Sequence, residues 1–292
     1  MTRYNILNLA AGQGLAGKEK TPQGIDYYTK CIGDARLYVK DRCLAHADDL
    51  CFCVYGGDGT INEVVSGILD ANAADRASVG VVPYGTGNDF ARILQHMQQG
   101  DSLWSDVIHW NDAYAVNMLN IGFDCSVVEK TAHMKTLPLI SGSFAYILGV
   151  ADVLFHKISR SLYIRYTDAN GKQGSYDGQV LLCAVANAPY CGGGFCAAPV
   201  AQYDDGLLDL MIIRKVSRAR FLSLVSAYRS GTHVNSDGDV TRRFADIISY
   251  HRCKSIRIEG MEHVCADGEI FPCTAADIGV FPHAIRFLRV HA

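Results

Sequence analysis

No stretch of this chain is both long enough and apolar enough to span a bilayer as a helix. The most apolar region, residues 137–155, "LPLISGSFAYILGVADVLF", is interrupted by Ser141, Ser143, Asp152 and two glycines. It falls short of the roughly 20 predominantly apolar residues that a spanning helix needs. The opening "MTRYNILNLAAGQG" has an apolar stretch too short for a secretory leader, so none is expected. Low-complexity tracts and short repeats are also missing. An overall basic excess is missing too: the net charge of −3 argues against a general nucleic-acid binder, and no nucleic-acid partner is expected. No Cys-x-x-Cys pair or histidine partner accompanies Cys191 and Cys196, which removes the usual zinc pattern.

What is present points to a globular, cytoplasmic protein. Hydrophobic residues make up 49% and charged residues 20% of 292 positions, enough to bury a core and, at about 150 residues each, to fill two domains. The eleven cysteines are odd in number, and several lie inside apolar strand-like runs, Cys51 and Cys53 in "LCFCVY" and Cys183 in "VLLCAVAN". They read as reduced, buried thiols rather than a disulfide scaffold. Residues 212–260 carry ten Lys/Arg against four Asp/Glu. That local excess is either a solvated face or a surface that approaches an anionic membrane transiently.

The first hundred residues alternate between strand and helix patterns. "YNILNL" is strand-like and leads into the turn "AAGQG", and "LCFCVY" is a continuous apolar run, as in a parallel strand covered on both faces. In "INEVVSGILDAN", Ile61, Val64, Val65, Ile68 and Leu69 form the stripe of an amphipathic helix. "VGVVP" then predicts a strand, "YGTG" a loop, and "NDFARILQHM" a helix with Phe90, Ile93, Leu94 and Met97 facing inward. This is a doubly wound α/β domain over residues 1–111, completed by the strand-like "AIRFLRV" within 280–292. From 112 to 279 the segments are strand-like and separated by turn signals such as Asn170-Gly171 and Asp205-Gly206, with helices expected over 141–156 and from 218. That half reads as an all-β sandwich domain.

Two loops carry the chemistry. "GGDGT" (56–60) follows one strand and opens a helix, so its glycines allow an anion to approach bare backbone at a helix N-terminus. Asp58 would repel a phosphate unless a metal ion or hydroxyl lies between them, which points to a Mg²⁺-nucleotide or a hydroxyl acceptor. "YGTGND" (84–89) repeats the arrangement, with Asp89 at a helix start. Alone, Asp89 is a favourable N-terminal helix charge. Two such loops side by side build one crevice at the carboxyl edge of a sheet, where open α/β sheets bind ligands. A third segment, "DGE" (267–269), would place Asp267 and Glu269 on one face if extended, or is simply a tight turn.

Together, "GGDGTINEV", "PYGTGNDFAR", "VNMLNIGFD", "GGGFCAAPVAQYDDGLLDL" and "CADGE" resemble, in order, the catalytic domain of the diacylglycerol kinase superfamily, in its bacterial soluble lipid-kinase branch. The resemblance implies an ATP-dependent kinase acting on a lipid hydroxyl, with diacylglycerol as the leading substrate and the active site in the interdomain cleft. It implies ATP contacts at Asn8, Leu9, Ala10, Ala11 and Gly12, at Gly57, Asp58, Gly59, Thr60, Ile61, Asn62 and Glu63, and at Thr86 and Asn88. Asp58 and Asp89 would organise phosphates, Mg²⁺ and water. Glu269, with Asp267 beside it, would take the proton of the attacking hydroxyl; spacing leaves open which of the two does so. A further Mg²⁺ site would use Asp205 with oxygens of Gln202 and Leu207. A lipid substrate implies contact with a membrane surface, and a homodimer is left open. The sequence departs from the family at Asn8-Leu9, usually Asn-Pro, and offers no assignable second-strand threonine between Leu15 and Arg42. A kinase of a soluble acceptor such as NAD, and a lipid or nucleotide sensor without activity, are the alternatives.

Overall fold

The computed structural model describes residues 1–11, 21, 23–85, 87–95, 97–98, 101–123, 125 and 159–290. The helix expected over 141–156, the apolar region 137–155, Gly12 and Thr86 lie outside them. Described strands and helices run β1 (Thr2–Asn8), β2 (Ile25–Thr29), α1 (Asp34–Ala45), β3 (Leu50–Gly56), α2 (Asp58–Asp70), β4 (Ala77–Pro83), α3 (Ala91–Leu94), β5 (Ser102–Trp110) and β6 (Ala113–Ala115). They continue with β7 (Met118–Gly122), β8 (Arg160–Asp168), β9 (Gln173–Ala186), β10 (Tyr190–Cys191), β11 (Phe195–Cys196) and β12 (Leu208–Arg214). The last are α4 (Arg218–Ser230), β13 (Ile248–Glu259), β14 (His263–Ala266), β15 (Glu269–Pro272) and β16 (Ala275–Leu288). The chain forms two compact units, Met1–Val107 with Phe281–Ala292, and Ile108–Val280.

The first unit is a parallel sheet in the order β16-β4-β3-β1-β2, with the end of β16 pairing Arg286 to Ser78. Strand β3 is buried along its whole length, which accounts for its unbroken apolar run. Helix α2 buries Ile61, Val64, Val65 and Ile68 against the sheet, as the stripe requires. It also packs closely on α1: a Cβ on Gly67 would lie 2.5 Å from the Arg36 carbonyl oxygen and 3.0 Å from Val39 Cβ. Arg36 pairs with Asp70 at 2.8 and 2.9 Å, and the Glu63 carboxylate accepts the Gly33 and Ala35 N–H groups at the start of α1.

The helix expected over "NDFARILQHM" is reduced to the four residues of α3. Asn88 lies in the left-handed region at φ 51°, which places Asp89 before the helix rather than in its first turn.

The second unit is a β-sandwich. One sheet runs β15-β14-β7-β9-β12-β13, and the other joins β9, β8, β13 and β16. Strands β9 and β13 belong to both: the start of β9 pairs with β8 and its end with β7 and β12, while β13 pairs first with β12 and then with β8 and β16. Alternation sorts the side chains. Leu208, Leu210, Ile212 and Cys253 join Leu119, Ile164, Val185, Ile256 and Ile278 in the interior. Met211 and Ile213 face the other way, under Phe221, Leu224 and Tyr228 of α4. The Asn170-Gly171 signal is realised as the β8–β9 hairpin, with Gly171 at φ 83°.

His233 lies fully buried in this second layer. Its Nδ1 is 3.2 Å from the Ala227 carbonyl oxygen and its Nε2 3.1 Å from that of Ala197. The two carbonyls favour the doubly protonated ring, but burial is the stronger effect and holds the imidazole below its ordinary value. Burial lowers His109 and His251 as well.

Two outcomes follow for stability. Gly67→Ala is expected to cost about 1–3 kcal/mol by forcing α1 and α2 apart, read as a lower urea midpoint at unchanged slope. As the pH falls below about 6.5, the unfolded chain takes up protons that the folded histidines refuse, so the histidines' contribution to stability declines on acidification. The decline should be shallower in His233→Asn, whatever its stability at neutral pH, when unfolding midpoints are compared across pH 7.5 to 5.

Candidate active site

Strands β3 and β4 end in register, Gly56 opposite Pro83, so their loops leave the carboxyl edge side by side. The Tyr84 N–H donates to the Gly56 carbonyl at 2.9 Å. Beyond that bond the loops touch backbone to backbone. A Cβ on Gly57 would stand 2.9 Å from Gly85 Cα, and one on Gly85 would stand 2.5 Å from Gly57 Cα. Neither separation admits a side chain, which answers why glycine occupies both positions.

Asp58 ties the two loops together. Its Oδ2 accepts the Asp89 N–H at 3.1 Å and its Oδ1 accepts the Phe90 N–H at 3.2 Å. Asp89 is buried, and Arg92 Nε lies 3.6 Å from its Oδ1. A Cβ on Gly87 would meet Asp89 Oδ2 at 3.1 Å and Asp58 Oδ2 at 3.2 Å, so both carboxylates flank one stretch of bare backbone. Asn88 folds back to donate from Nδ2 to the Gly85 carbonyl at 2.8 Å.

The end of β1 joins the same edge. Asn8 Nδ2 donates to Thr60 Oγ1 at 2.9 Å, and Asn8 Oδ1 accepts the Ala10 N–H at 3.0 Å. Leu9 and Ala10 are exposed and Ala11 is half-buried. Thr29, the last residue of β2, stands opposite Asn8 in the parallel register. The sequence offered no assignable second-strand threonine because β2 is a five-residue edge strand with no pattern of its own.

In the second unit, "DGE" is a tight hairpin rather than an extended segment. Asp267 and Gly268 occupy the left-handed region at φ 47° and 91°, and Glu269 pairs with Ala266 as β15 begins. The two carboxylates therefore do not share a strand face, which corrects the extended reading. The Asp267 carboxylate accepts three backbone N–H groups, Val116 at 2.6 Å, Asn117 at 3.0 Å and Met118 at 2.9 Å. Asn117 and Asn187 brace that segment by donating to the carbonyls of Tyr190 and Val116. Asp267 is thus a clasp between the hairpin and residues 116–118, and Glu269 is the half-buried carboxylate beside it.

Two of the expected nucleotide contacts have their side chains turned inward. Ile61 is buried in the core, so only its backbone can serve a ligand, and both oxygens of Glu63 cap α1. At the 202–209 turn, Asp205 Oδ1 accepts the Leu207 N–H at 3.0 Å while its Oδ2 pairs with the Arg252 guanidinium. Asp209, on β12, is buried, which pushes its carboxyl up to about 6 against the lowering effect of Tyr250. The Arg252 guanidinium thus stands beside Asp205 at the turn where Mg²⁺ held by Gln202, Asp205 and Leu207 is expected.

Known proteins resemble the chain over both units. Residues 22–118 match the diacylglycerol kinase catalytic domain, and residues 117–289 match the YegS C-terminal NAD kinase beta sandwich-like domain. The chain belongs to the diacylglycerol kinase superfamily. A diacylglycerol kinase of Bacillus subtilis (strain 168) is 32% identical over 216 residues, covering 71% of this chain and 68% of that protein. A probable lipid kinase YegS-like of Enterobacter sp. (strain 638) is 30% identical over 193 residues, 62% of this chain and 61% of that protein. The crystal structure of a diacylglycerol kinase from Bacillus anthracis str. Sterne shares the fold at a TM-score of 0.70 and 24% identity, covering 99% of this chain and 97% of that one. This superfamily member is a phosphotransferase of the lipid-kinase type. No described helix is long and apolar enough to cross a membrane.

Asp58→Ala frees both loops, and Gly85→Ala pushes them apart. Each is expected to lower phosphotransfer at least ~100-fold, the scale of an ångström-sized misplacement. Circular dichroism should show the fold retained in both.

Proposed function

We propose that the chain transfers the γ-phosphoryl group of ATP to the hydroxyl of a lipid, diacylglycerol first among candidates. The observation that carries the reading is the backbone contact of Gly57 and Gly85 under the bridge from Asp58 to the Asp89 and Phe90 N–H groups. Such a cradle suits a polyphosphate, which needs close approach to backbone and a fixed set of dipoles. Thr29 and Asn8, opposite each other at the ends of β2 and β1, are the polar groups suited to hold the rest of the nucleotide. The hard oxygens of Asp58 and Asp89 around Gly87 fit a Mg²⁺ ion, which when bound would neutralise phosphate charge. The substrate class draws on the Bacillus subtilis diacylglycerol kinase and the Enterobacter YegS-like lipid kinase that the chain resembles.

Glu269 is assigned as proton acceptor for the lipid hydroxyl. Asp267 has its carboxylate committed to three N–H groups, so its part is to fix the hairpin that presents Glu269. Access to a lipid is supplied by the face of α4, where Arg218, Leu222 and Arg229 are exposed, with Arg242 and Arg243 exposed in the loop that follows. Each properly placed arginine would contribute about 1 kcal/mol of attraction to an anionic membrane.

The test is turnover of labelled ATP with diacylglycerol in phosphatidylglycerol vesicles. Glu269→Gln should lower the rate about 10²–10⁴-fold and leave ATP affinity unchanged. A Glu269→Gln enzyme as fast as wild type defeats the assignment. Incubation with a total lipid extract beside soluble acceptors such as NAD, read by mass spectrometry, identifies the acceptor.

A further inference from the structure

The 202–209 turn meets strand β13 at a single cation. In the β12–β13 register Asp209 stands opposite Arg252, and both point away from the interior that receives Leu208, Leu210 and Cys253. The Arg252 guanidinium pairs with Asp205 Oδ2, and its Nε lies 3.9 Å from Asp209 Oδ1. The carboxylates are withdrawn from solvent, with side-chain exposures of 18% for Asp205 and 1% for Asp209, while Arg252 keeps 36%. Leu207 adds a backbone N–H to Asp205 Oδ1 at 3.0 Å. Gly206, at φ 70°, lets the chain reverse between them.

Two acidic groups at a tight turn, one of them fully enclosed, need a counter-charge. A divalent ion is one way to supply it, and the resemblance of this segment to the superfamily implies Mg²⁺ held by Gln202, Asp205 and Leu207. Here the charge comes from within the chain. We propose that Arg252 is the resident cation of this turn, joining it to strand β13 in place of a divalent ion. A guanidinium suits the position because it is planar, permanently charged and able to address two carboxylates from separate nitrogens. The arrangement makes the turn's geometry independent of metal supply.

The experiment uses the full chain without nucleotide, compared in EDTA and in millimolar MgCl₂. Any difference between the wild-type midpoints in the two is expected to be the same in Asp205→Asn, since Mg²⁺ at Asp58 and Asp89 acts apart from this turn. Arg252→Gln should unfold at lower temperature in EDTA and recover part of the loss in MgCl₂, and adding Asp205→Asn should cancel the recovery. The proposal is overturned if wild type loses midpoint on chelation and Asp205→Asn abolishes that loss. It is overturned equally if Arg252→Gln matches wild type in EDTA. Should Arg252→Gln not fold, Mn²⁺ titration of wild type and Asp205→Asn by electron paramagnetic resonance decides. Identical binding supports Arg252 as the cation, and a site lost with Asp205→Asn refutes it.

Discussion

The first unit depends on one carboxylate that receives two backbone N–H groups. Asp58 begins helix α2, yet its oxygens reach across to Asp89 and Phe90 in the neighbouring loop. That bridge holds two glycine loops in contact and caps the donors just ahead of the four-residue α3. A charged acceptor of main-chain donors is stronger than a neutral one and also fixes direction, so a single side chain aligns two strand ends.

The second unit uses the same device. Asp267 sits in a left-handed turn and collects three N–H groups from residues 116–118, drawing the "DGE" hairpin against β7. In each unit one aspartate is spent on backbone so that a neighbouring acid can be presented: Asp89 in the first, Glu269 in the second. In each case the aspartate that gathers the backbone donors fixes the position of the acid beside it. The same economy appears on β12 and β13, where Arg252 lies between Asp205 and Asp209.

Much of this was legible in the residues, and the failures have physical causes. The buried run "LCFCVY", the α2 stripe and the glycine loops are local patterns, and local patterns survive folding. Strand β2 carries no alternation because it is a short edge, so Thr29 acquires meaning only from its register with Asn8. The helix expected over residues 88–97 is shorter than its apolar spacing implies, because periodicity marks a buried face and not where a helix begins or ends. Glu63 lies inside a motif that reads as ligand-binding, yet it closes the end of α1, a partner 28 to 30 residues away. Arg252 gave no signal, because its acidic partners are brought to it only by antiparallel pairing.

The return of β16 to β4 bears on how the chain is born. Ser78 leaves the ribosome about 200 residues before Arg286, an interval of ~10–40 s at ~5–20 residues per second. Throughout that time the hydrogen-bonding edge of β4 lacks its native neighbour, while the neighbouring α/β elements are already available to fold. A nascent intermediate with an open, apolar strand edge is the kind of species that chaperones hold and that mispairs with other chains. Shielding of that edge during translation is then a requirement separate from the stability of the finished fold.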